Sequence, residues 1–337
     1  MVEGALDSEI FNKFVEINQQ CVAKEGNMKR IRPERLRRGD RIGVITPAAP
    51  VKREYVEEAC RKMEEDYGLS PVVMPHALDK PDGYFASTLE NRIDDFKKAW
   101  EDPEIKAVLC SRGGYGSVQL IPEIHRFLKN NPELPPKWFI GFSDITIFHS
   151  LFTHLGIESI HGPMAKNIAT TPNESVRSLF EILMDDLRPS YSLPSHPYNQ
   201  QGEARGILTG GNFATFNGLA ATFTDTLAPE KADDKILFIE DIGENIYEIN
   251  RMLYRLGIAG VLSKLRGIIV GQFTLYKPDS SFETMEDMIR QTLNRFSVGC
   301  PVIYNFPAGH IDNNLPLIMG SEVKISADSE NSHIETH

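Results

Sequence analysis

The stretch Trp138-Phe-Ile-Gly-Phe-Ser-Asp-Ile-Thr146 is an apolar run that leads directly into a predicted helix at 144–155. The same arrangement occurs upstream, where the β-branched run Asp40-Arg-Ile-Gly-Val-Ile-Thr46 precedes a charged helical stretch at 54–67. A further predicted strand, 107–110, ends at a glycine turn before another helix. Strands that alternate with helices are typical of βα units and predict a largely parallel sheet. Ligands of such sheets gather at the carboxyl ends of the strands.

The second half of the chain resumes this alternation after a break. Residues 171–202 contain four prolines and a polar run, so we interpret them as a linker around one short helix. Beyond the linker, the sequence predicts strands at 206–212, 235–239, 267–270 and 301–306, helices at 246–256 and 282–296, and a closing edge strand at 321–325.

We therefore expect an α/β fold of two domains with the active site in the cleft between them. The predicted boundaries are 28–170 for a parallel-sheet α/β domain and 203–337 for a β-rich α/β domain. Residues 1–27 have apolar side chains at helical spacing, and we interpret them as an N-terminal extension.

Composition excludes several classes of protein. The chain of 337 residues is 41% hydrophobic, which excludes disorder, and its net charge of −11 argues against binding to nucleic acid or anionic membranes. No apolar run approaches the ~18–20 residues that span a bilayer, and the first 30 residues lack the apolar core of a signal peptide. The four cysteines lie far apart, without a C-x-x-C pair. These features predict a cytoplasmic protein.

Three strand exits carry side chains suited to catalysis. Ser143 lies between a predicted strand and a helix, where it is a candidate nucleophile or simply the cap of that helix. Glu240 and Asp241 follow the strand 235–239, and either carboxylate could orient a histidine or cap the next helix. His310 follows a strand on a glycine turn, where an imidazole can face a cleft and titrate near neutrality.

Other residues offer alternatives or support. His161 also follows a predicted strand and is the main rival to His310 as a catalytic base. The pair Gly113 and Gly114 forms a turn whose backbone can approach a reacting group closely and direct an N–H group at it, or that simply needs a positive φ. No set of histidines and carboxylates has the spacing along the sequence that is typical of metal ligands, so we expect neither a metal nor a cofactor.

Five motifs at these positions make the sequence resemble the LD-carboxypeptidase family of serine peptidases, which includes the microcin-immunity hydrolases. The resemblance runs from about residue 36 to 325. The motifs, in chain order, are Ser111-Arg-Gly-Gly-Tyr-Gly116, Gly141-Phe-Ser-Asp-Ile-Thr146, Leu208-Thr-Gly-Gly-Asn212, Leu237-Phe-Ile-Glu-Asp241 and Phe306-Pro-Ala-Gly-His310.

The resemblance implies a Ser-His-Glu triad, with the serine in one domain and its partners in the other. Carried over to this sequence, Ser143 is the nucleophile, Glu240 the orienting acid and His310 the general base. The oxyanion hole is then formed by the backbone N–H groups of Asp144 and Gly114.

The resemblance also implies a substrate class. It is a murein tetrapeptide, L-Ala-D-Glu-X-D-Ala, in which X is mDAP or L-Lys. The terminal D-alanine is removed in cell-wall recycling. We expect Arg112 to bind the terminal carboxylate and Gly113 and Tyr115 to contact the substrate. Members of the family are often dimeric, so we expect a homodimer.

Two alternatives to this function stay open. The microcin-immunity branch hydrolyses aminoacyl-nucleotide peptides and carries an aromatic residue on an inter-domain loop, whereas both tryptophans here, Trp100 and Trp138, lie in the first domain. A two-domain protein that binds ligand without turnover is the other alternative.

Overall fold

The computed structural model describes residues 30–171, 174–277 and 279–337. The expected extension at 1–27 lies outside these residues. The first part of the chain contains the elements β1 (Arg41–Ile45), α1 (Arg53–Tyr67), β2 (Ser70–Val73), α2 (Leu89–Glu101), β3 (Ile105–Cys110), α3 (Ile121–Asn130), β4 (Trp138–Gly141), α4 (Thr146–His154), β5 (Ser159–His161), α5 (Ala165–Thr170) and α6 (Glu174–Met184). The second part contains β6 (Ser190–Pro194), β7 (Gly202–Asn212), α7 (Phe213–Asn217), β8 (Lys235–Ile242), α8 (Ile246–Ile258), β9 (Gly267–Thr274), α9 (Met285–Arg295), β10 (Val302–Ile303), β11 (Leu317–Met319), β12 (Glu322–Ala327) and β13 (Asn331–Thr336).

The first sheet has six strands in the order β11-β5-β4-β3-β1-β2. All neighbours among β1 to β5 pair in parallel, as the alternating pattern predicts. Side chains of β3 alternate between two apolar clusters, with Val108 and Cys110 on one face and Ala107 and Leu109 on the other. Helices cover both faces, which is the usual condition of a parallel sheet.

The second sheet has seven strands in the order β10-β9-β8-β7-β12-β13-β6. Its strands β7 to β10 pair in parallel, whereas β12, β13 and β6 add an antiparallel extension. The expected fold class, two α/β parts of which the second is richer in strand, is confirmed.

The edge of the second sheet differs from the prediction. The strand predicted at 321–325 is the internal strand β12, because β13 and β6 continue the sheet beyond it. Strand β6 also lies inside 171–202, so this segment contains a helix and a strand rather than one short helix. Pro194 ends β6 at the margin of the sheet, a place where the missing N–H group of proline is tolerated.

Strand β11 connects the two parts of the molecule. It comes from the second half of the chain but pairs antiparallel with β5 of the first sheet. Because successive side chains of a strand point to opposite faces, Ile318 joins the core of the first part, while Leu317 and Met319 join a core of the second.

Candidate active site

Ser143 lies two residues after β4, in a short 3₁₀ turn, Ser143–Ile145, that leads into α4. Its φ is +65°, in the left-handed region that non-glycine residues rarely occupy. The N-cap of the turn is Phe142, so the interpretation of Ser143 as a simple helix cap is wrong. A strained backbone held by a packed scaffold is typical of functional residues, at a cost of about 1–3 kcal/mol.

The glycine turn after β3 lies directly against this serine. A Cβ built on Gly113 would come within 2.9 Å of Ser143 Cβ, 3.1 Å of Ser143 Oγ and 3.2 Å of the backbone nitrogen of Asp144. Gly114 has a φ of +118°, and a Cβ there would meet Ala49 at 2.5 Å. The turn thus needs glycine both for its conformation and for its approach to the serine.

The side chain of Asp144 ties these two strand exits together. It is 4% exposed, and its Oδ2 accepts a hydrogen bond of 2.8 Å from the backbone N–H of Ser117. Burial raises the pKa of this carboxyl, and the hydrogen bond from Ser117 opposes the shift. The contact holds the end of the glycine turn beside Ser143.

Glu240 and His310 form a pair in which the carboxylate is buried and the imidazole is partly exposed. Nδ1 of His310 lies 2.8 Å from Oε2 of Glu240, whose side chain is fully buried. An ionised carboxylate can only accept, so Nδ1 carries the proton in this bond and Nε2 is left as a proton acceptor. Gly309 makes this approach possible, because a Cβ at that residue would lie 2.9 Å from Oε2 of Glu240.

Asp241 is engaged elsewhere. It accepts hydrogen bonds from the side chain of Asn212 at 3.0 Å, from Ala214 N–H at 2.7 Å and from Ile242 N–H at 2.7 Å. Burial raises the pKa of its carboxyl to about 6, against the effect of these hydrogen bonds. Of the two adjacent acids, Glu240 therefore contacts the histidine while Asp241 organises the start of α7.

The Leu208-Thr-Gly-Gly-Asn212 motif brings the two parts of the site together. The N–H group of Asn212 donates to Thr146 Oγ1 at 3.0 Å, at the start of α4. A Cβ on Gly211 would lie 2.5 Å from the same oxygen. The ring of Phe142, the residue before Ser143, lies 5.0 Å from the ring of His310. The histidine of the second part thus lies beside the serine turn of the first.

Arg112 and Tyr115 lie on the glycine turn. Arg112 is half-buried, and its Nη1 donates to the carbonyl of Pro50 at 3.1 Å. Tyr115 is 57% exposed, with its ring 5.7 Å from that of Phe85. Both side chains are available to a ligand at the rim of the glycine turn.

His161, the rival base, is fully buried in β5. Burial lowers its pKa well below the usual value, and the nearby His149 and His310 lower it further. Its ring packs edge-on against Phe238, and within the described residues neither of its ring nitrogens has a hydrogen-bond partner. Of these two histidines, His310 is the one with the carboxylate partner that a catalytic base requires.

Sequence reasoning missed two residues that support the site. Asn314 is 1% exposed and accepts a hydrogen bond of 2.8 Å from Gly309 N–H, next to His310. His149 on α4 contacts Ser159 Oγ and the carbonyl of Gly141 at 2.8 Å each, and burial lowers its pKa to about 4. The neutral ring therefore holds the end of β4.

Among the residues that the structure describes, one group of side chains could hold a metal ion. His76, Asp94 and Asp95 place ligand atoms within 4.8 Å of one another, an arrangement that linear spacing did not indicate. Asp94 pairs with the ammonium of Lys98 at 2.7 Å, and Asp95 accepts from the His76 N–H group. Internal partners thus already engage both carboxylates.

Comparison with known proteins identifies the class. The LD-carboxypeptidase N-terminal domain matches residues 42–162, and the LD-carboxypeptidase C-terminal domain matches residues 205–325. The chain therefore belongs to the LD-carboxypeptidase family, as the five motifs predict.

Individual relatives support this assignment. A Streptomyces coelicolor protein named as a carboxypeptidase is 35% identical over 89% of this chain and 94% of its own length. The murein tetrapeptide carboxypeptidase of Pseudomonas aeruginosa is 30% identical over 80% of this chain and 88% of its own. These relatives identify the chain as a peptidase of the carboxypeptidase class.

Solved structures share the fold. A muramoyltetrapeptide carboxypeptidase from Oxalobacter formigenes has a TM-score of 0.74 at 23% identity, covering 88% of this chain and 98% of its own. The microcin C7 self-immunity protein MccF has a TM-score of 0.78 at 21% identity, covering 90% of this chain and 98% of its own. No helix in 30–171, 174–277 or 279–337 combines the length and apolar character needed to cross a membrane.

Proposed function

We propose that the protein is a serine LD-carboxypeptidase that removes the terminal D-alanine from murein tetrapeptides. The observation that carries the proposal is the hydrogen bond of 2.8 Å between the buried Glu240 and His310, beside a serine in a strained turn. A peptidase that hydrolyses an amide needs a nucleophile, a base to accept its proton and donors for the oxyanion. The candidate site offers all three.

The proposed mechanism is acyl transfer. Nε2 of His310 takes the proton of Ser143 Oγ, and the oxygen attacks the carbonyl of the scissile bond. The negative charge on that carbonyl oxygen is held by the backbone N–H groups of Asp144 and Gly114. His310 then gives its proton to the nitrogen of the departing D-alanine. In the second half, His310 activates a water molecule that hydrolyses the acyl-enzyme.

Glu240 keeps the imidazole in the required tautomer and stabilises the imidazolium that forms in each half. Glu240 is fully buried, so solvent screens its interaction with the imidazolium less than it would at the surface. We assign recognition of the terminal carboxylate to Arg112, since a guanidinium binds a carboxylate through two parallel hydrogen bonds. In this proposal Gly113 and Tyr115 line the substrate, and the enzyme acts in the cytoplasm as a homodimer.

The test is release of D-alanine from the tetrapeptide L-Ala-D-Glu-mDAP-D-Ala and from its L-Lys counterpart. Ser143→Ala should lower kcat by about 10⁴ or more. Ser263→Ala is the matched control, because this hydroxyl is exposed and donates to the carbonyl of Gly260. Near-normal turnover by Ser143→Ala would remove this serine from the mechanism.

The alternatives predict different products. A microcin-immunity type of hydrolase would release an amino acid from aminoacyl-nucleotide peptides and leave the tetrapeptide intact. Both tryptophans are buried in the first part of the molecule, Trp100 at 1% and Trp138 at 0% exposure, so neither can stack on a base. A binding protein without turnover would be stabilised thermally by the tetrapeptide and form no product.

A further inference from the structure

Arg92 of α2 is a buried charge that the proposed mechanism does not use. Its guanidinium is 3% exposed and hydrogen-bonds to the backbone carbonyls of Pro47 at 2.8 Å, Gly116 at 3.2 Å and Ser87 at 3.2 Å. A fourth bond of 2.7 Å goes to the side chain of Gln119. The acceptors lie after β1, before α2 and after β3, so one side chain connects three segments at the carboxyl ends of neighbouring strands.

The contact with Gly116 involves one particular peptide group. The carbonyl of Gly116 accepts from Arg92, and the N–H of the same peptide unit, which belongs to Ser117, donates to the Asp144 carboxylate at 2.8 Å. This peptide dipole is therefore held between two buried side chains of opposite charge, with its positive end toward the carboxylate. Such charge-assisted hydrogen bonds are roughly twice as strong as neutral ones.

The held peptide is close in sequence to one proposed oxyanion donor and hydrogen-bonded to the residue that supplies the other. Asp144 supplies one of the two proposed N–H donors from its own backbone, directly after Ser143. Gly114 supplies the other, two residues before the peptide that Arg92 and Asp144 hold. The distance between the two donors thus depends on how firmly the Gly116–Ser117 peptide is held.

We propose that Arg92 is a positioning residue that sets the spacing of the oxyanion donors of Gly114 and Asp144 through the Gly116–Ser117 peptide. The inference rests on the proposed function, because it concerns the same catalytic serine. Arg92 touches neither the substrate nor Ser143 in this proposal. Its effect on catalysis passes through the peptide that it holds.

Arg92→Lys is the first variant, because it keeps the positive charge and loses the planar fork that spans several carbonyls. We expect kcat to fall about tenfold or more while KM changes little, because oxyanion donors act in the transition state. A peptide aldehyde inhibitor, whose adduct with the serine carries the oxyanion, should lose affinity by the same factor. If the role of Arg92 were merely structural, the substitution would reduce the fraction of folded enzyme. The kcat per active site and the affinity for the aldehyde would then stay unchanged.

Labelling by a fluorophosphonate separates this inference from the proposed substrate. The reagent reports on the serine and its oxyanion donors without peptide recognition, so it can be used whether or not D-alanine is released. We expect Arg92→Lys to be labelled at least tenfold more slowly than the unaltered protein. Arg126→Lys, a control on an exposed arginine of α3, should be labelled at the normal rate.

Gln119→Ala provides a second variant that removes no buried charge. It takes away one partner of the Arg92 guanidinium and should slow labelling in the same direction by a smaller factor. If Arg92→Lys fails to fold, the labelling rate and kcat of Gln119→Ala decide whether the inference holds. Labelling and kcat within twofold of normal in the folded variants would overturn the inference, even if D-alanine release by the unaltered enzyme had established the proposed function.

Discussion

Replacement of Gly113 by alanine tests the geometry of the candidate site most directly. The φ of this residue lies outside the left-handed region, so the backbone can accept an alanine. The added Cβ would lie 2.9 Å from Ser143 Cβ, whereas two carbons make their best contact at about 3.5–4.0 Å. An overlap of roughly 0.6 Å or more must be relieved, and the backbone fixes the position of Ser143 Cβ.

The relief has a catalytic cost that follows from the other two distances. The new methyl group would lie 3.1 Å from Ser143 Oγ and 3.2 Å from the backbone nitrogen of Asp144. It would therefore turn the nucleophile and cover the N–H group proposed to hold the oxyanion. Loss of one such donor lowers kcat by about 10²–10³, and we expect Gly113→Ala to fall in this range.

The assay compares kcat for D-alanine release with the unfolding midpoint in urea. Alanine in place of glycine restricts the unfolded chain, which contributes about 0.4–1 kcal/mol of stability and partly offsets the clash. We therefore expect a large loss of activity with a small change in the free energy of unfolding. Gly299→Ala is the matched control, because Gly299 also has no positive φ and a Cβ there would meet no atom within 4 Å. Activity of Gly113→Ala within threefold of the Gly299→Ala control would refute the proposed arrangement of serine and oxyanion donors.

Three further predictions concern the groups that support the serine. Glu240→Gln should lower kcat by about 10⁴ because an amide favours the wrong tautomer of His310, and retention of normal kcat would exclude Glu240 as the orienting acid. His149 has a pKa of about 4 in the folded protein and an ordinary pKa of 6.5. The unfolded chain therefore binds a proton more readily as the pH falls below 6.5. We expect this residue to lower the free energy of unfolding by about 2 kcal/mol between pH 7 and pH 5. Urea unfolding of His149→Gln should lack that part of the loss, and an identical pH dependence would contradict the prediction. Asn314→Leu leaves the buried N–H of Gly309 unpaired and should destabilise the protein by about 1–3 kcal/mol and lower kcat, whereas Asn313→Ala should change the unfolding free energy much less.

Much of the parallel sheet could be predicted from sequence because its strands are buried on both faces. Strands β1, β3 and β4 are predominantly apolar, with Arg41 and Lys106 as exposed exceptions, and each is closed by glycine, proline or serine. Strand β6 could not be predicted in this way. Its residues Ser190–Pro194 are alternately exposed and half-buried at the margin of the sheet, and proline at its end is typical of a loop.

Candidate residues at strand exits were accessible from the sequence pattern, but the choice of Glu240 as the partner of His310 came only from the family resemblance. Glu240 and Asp241 are adjacent in the chain, and only the fold turns one of them to His310 and the other to α7. Arg92 carries only a weak signal in the sequence. It occupies the same face of α2 as Phe96 and Ala99, so a charged residue stood at an apolar position of the helix.

The parts of the site that sequence cannot reveal are those that depend on contact between the two halves of the molecule. Ser143 and His310 lie in different halves, so small changes in the docking of one half on the other would separate them. Gly211 and Asn212 approach Thr146 directly, and Ile318 of β11 is buried in the core of the first half. Close-packed contacts of this kind resist sliding of one half on the other, because any shift opens voids or forces atoms to overlap. The close approach of Gly211 to Thr146 and the pairing of β11 with the first sheet therefore maintain the distance between His310 and Ser143. Neither Gly211 nor any residue of β11 takes part in the proposed chemistry.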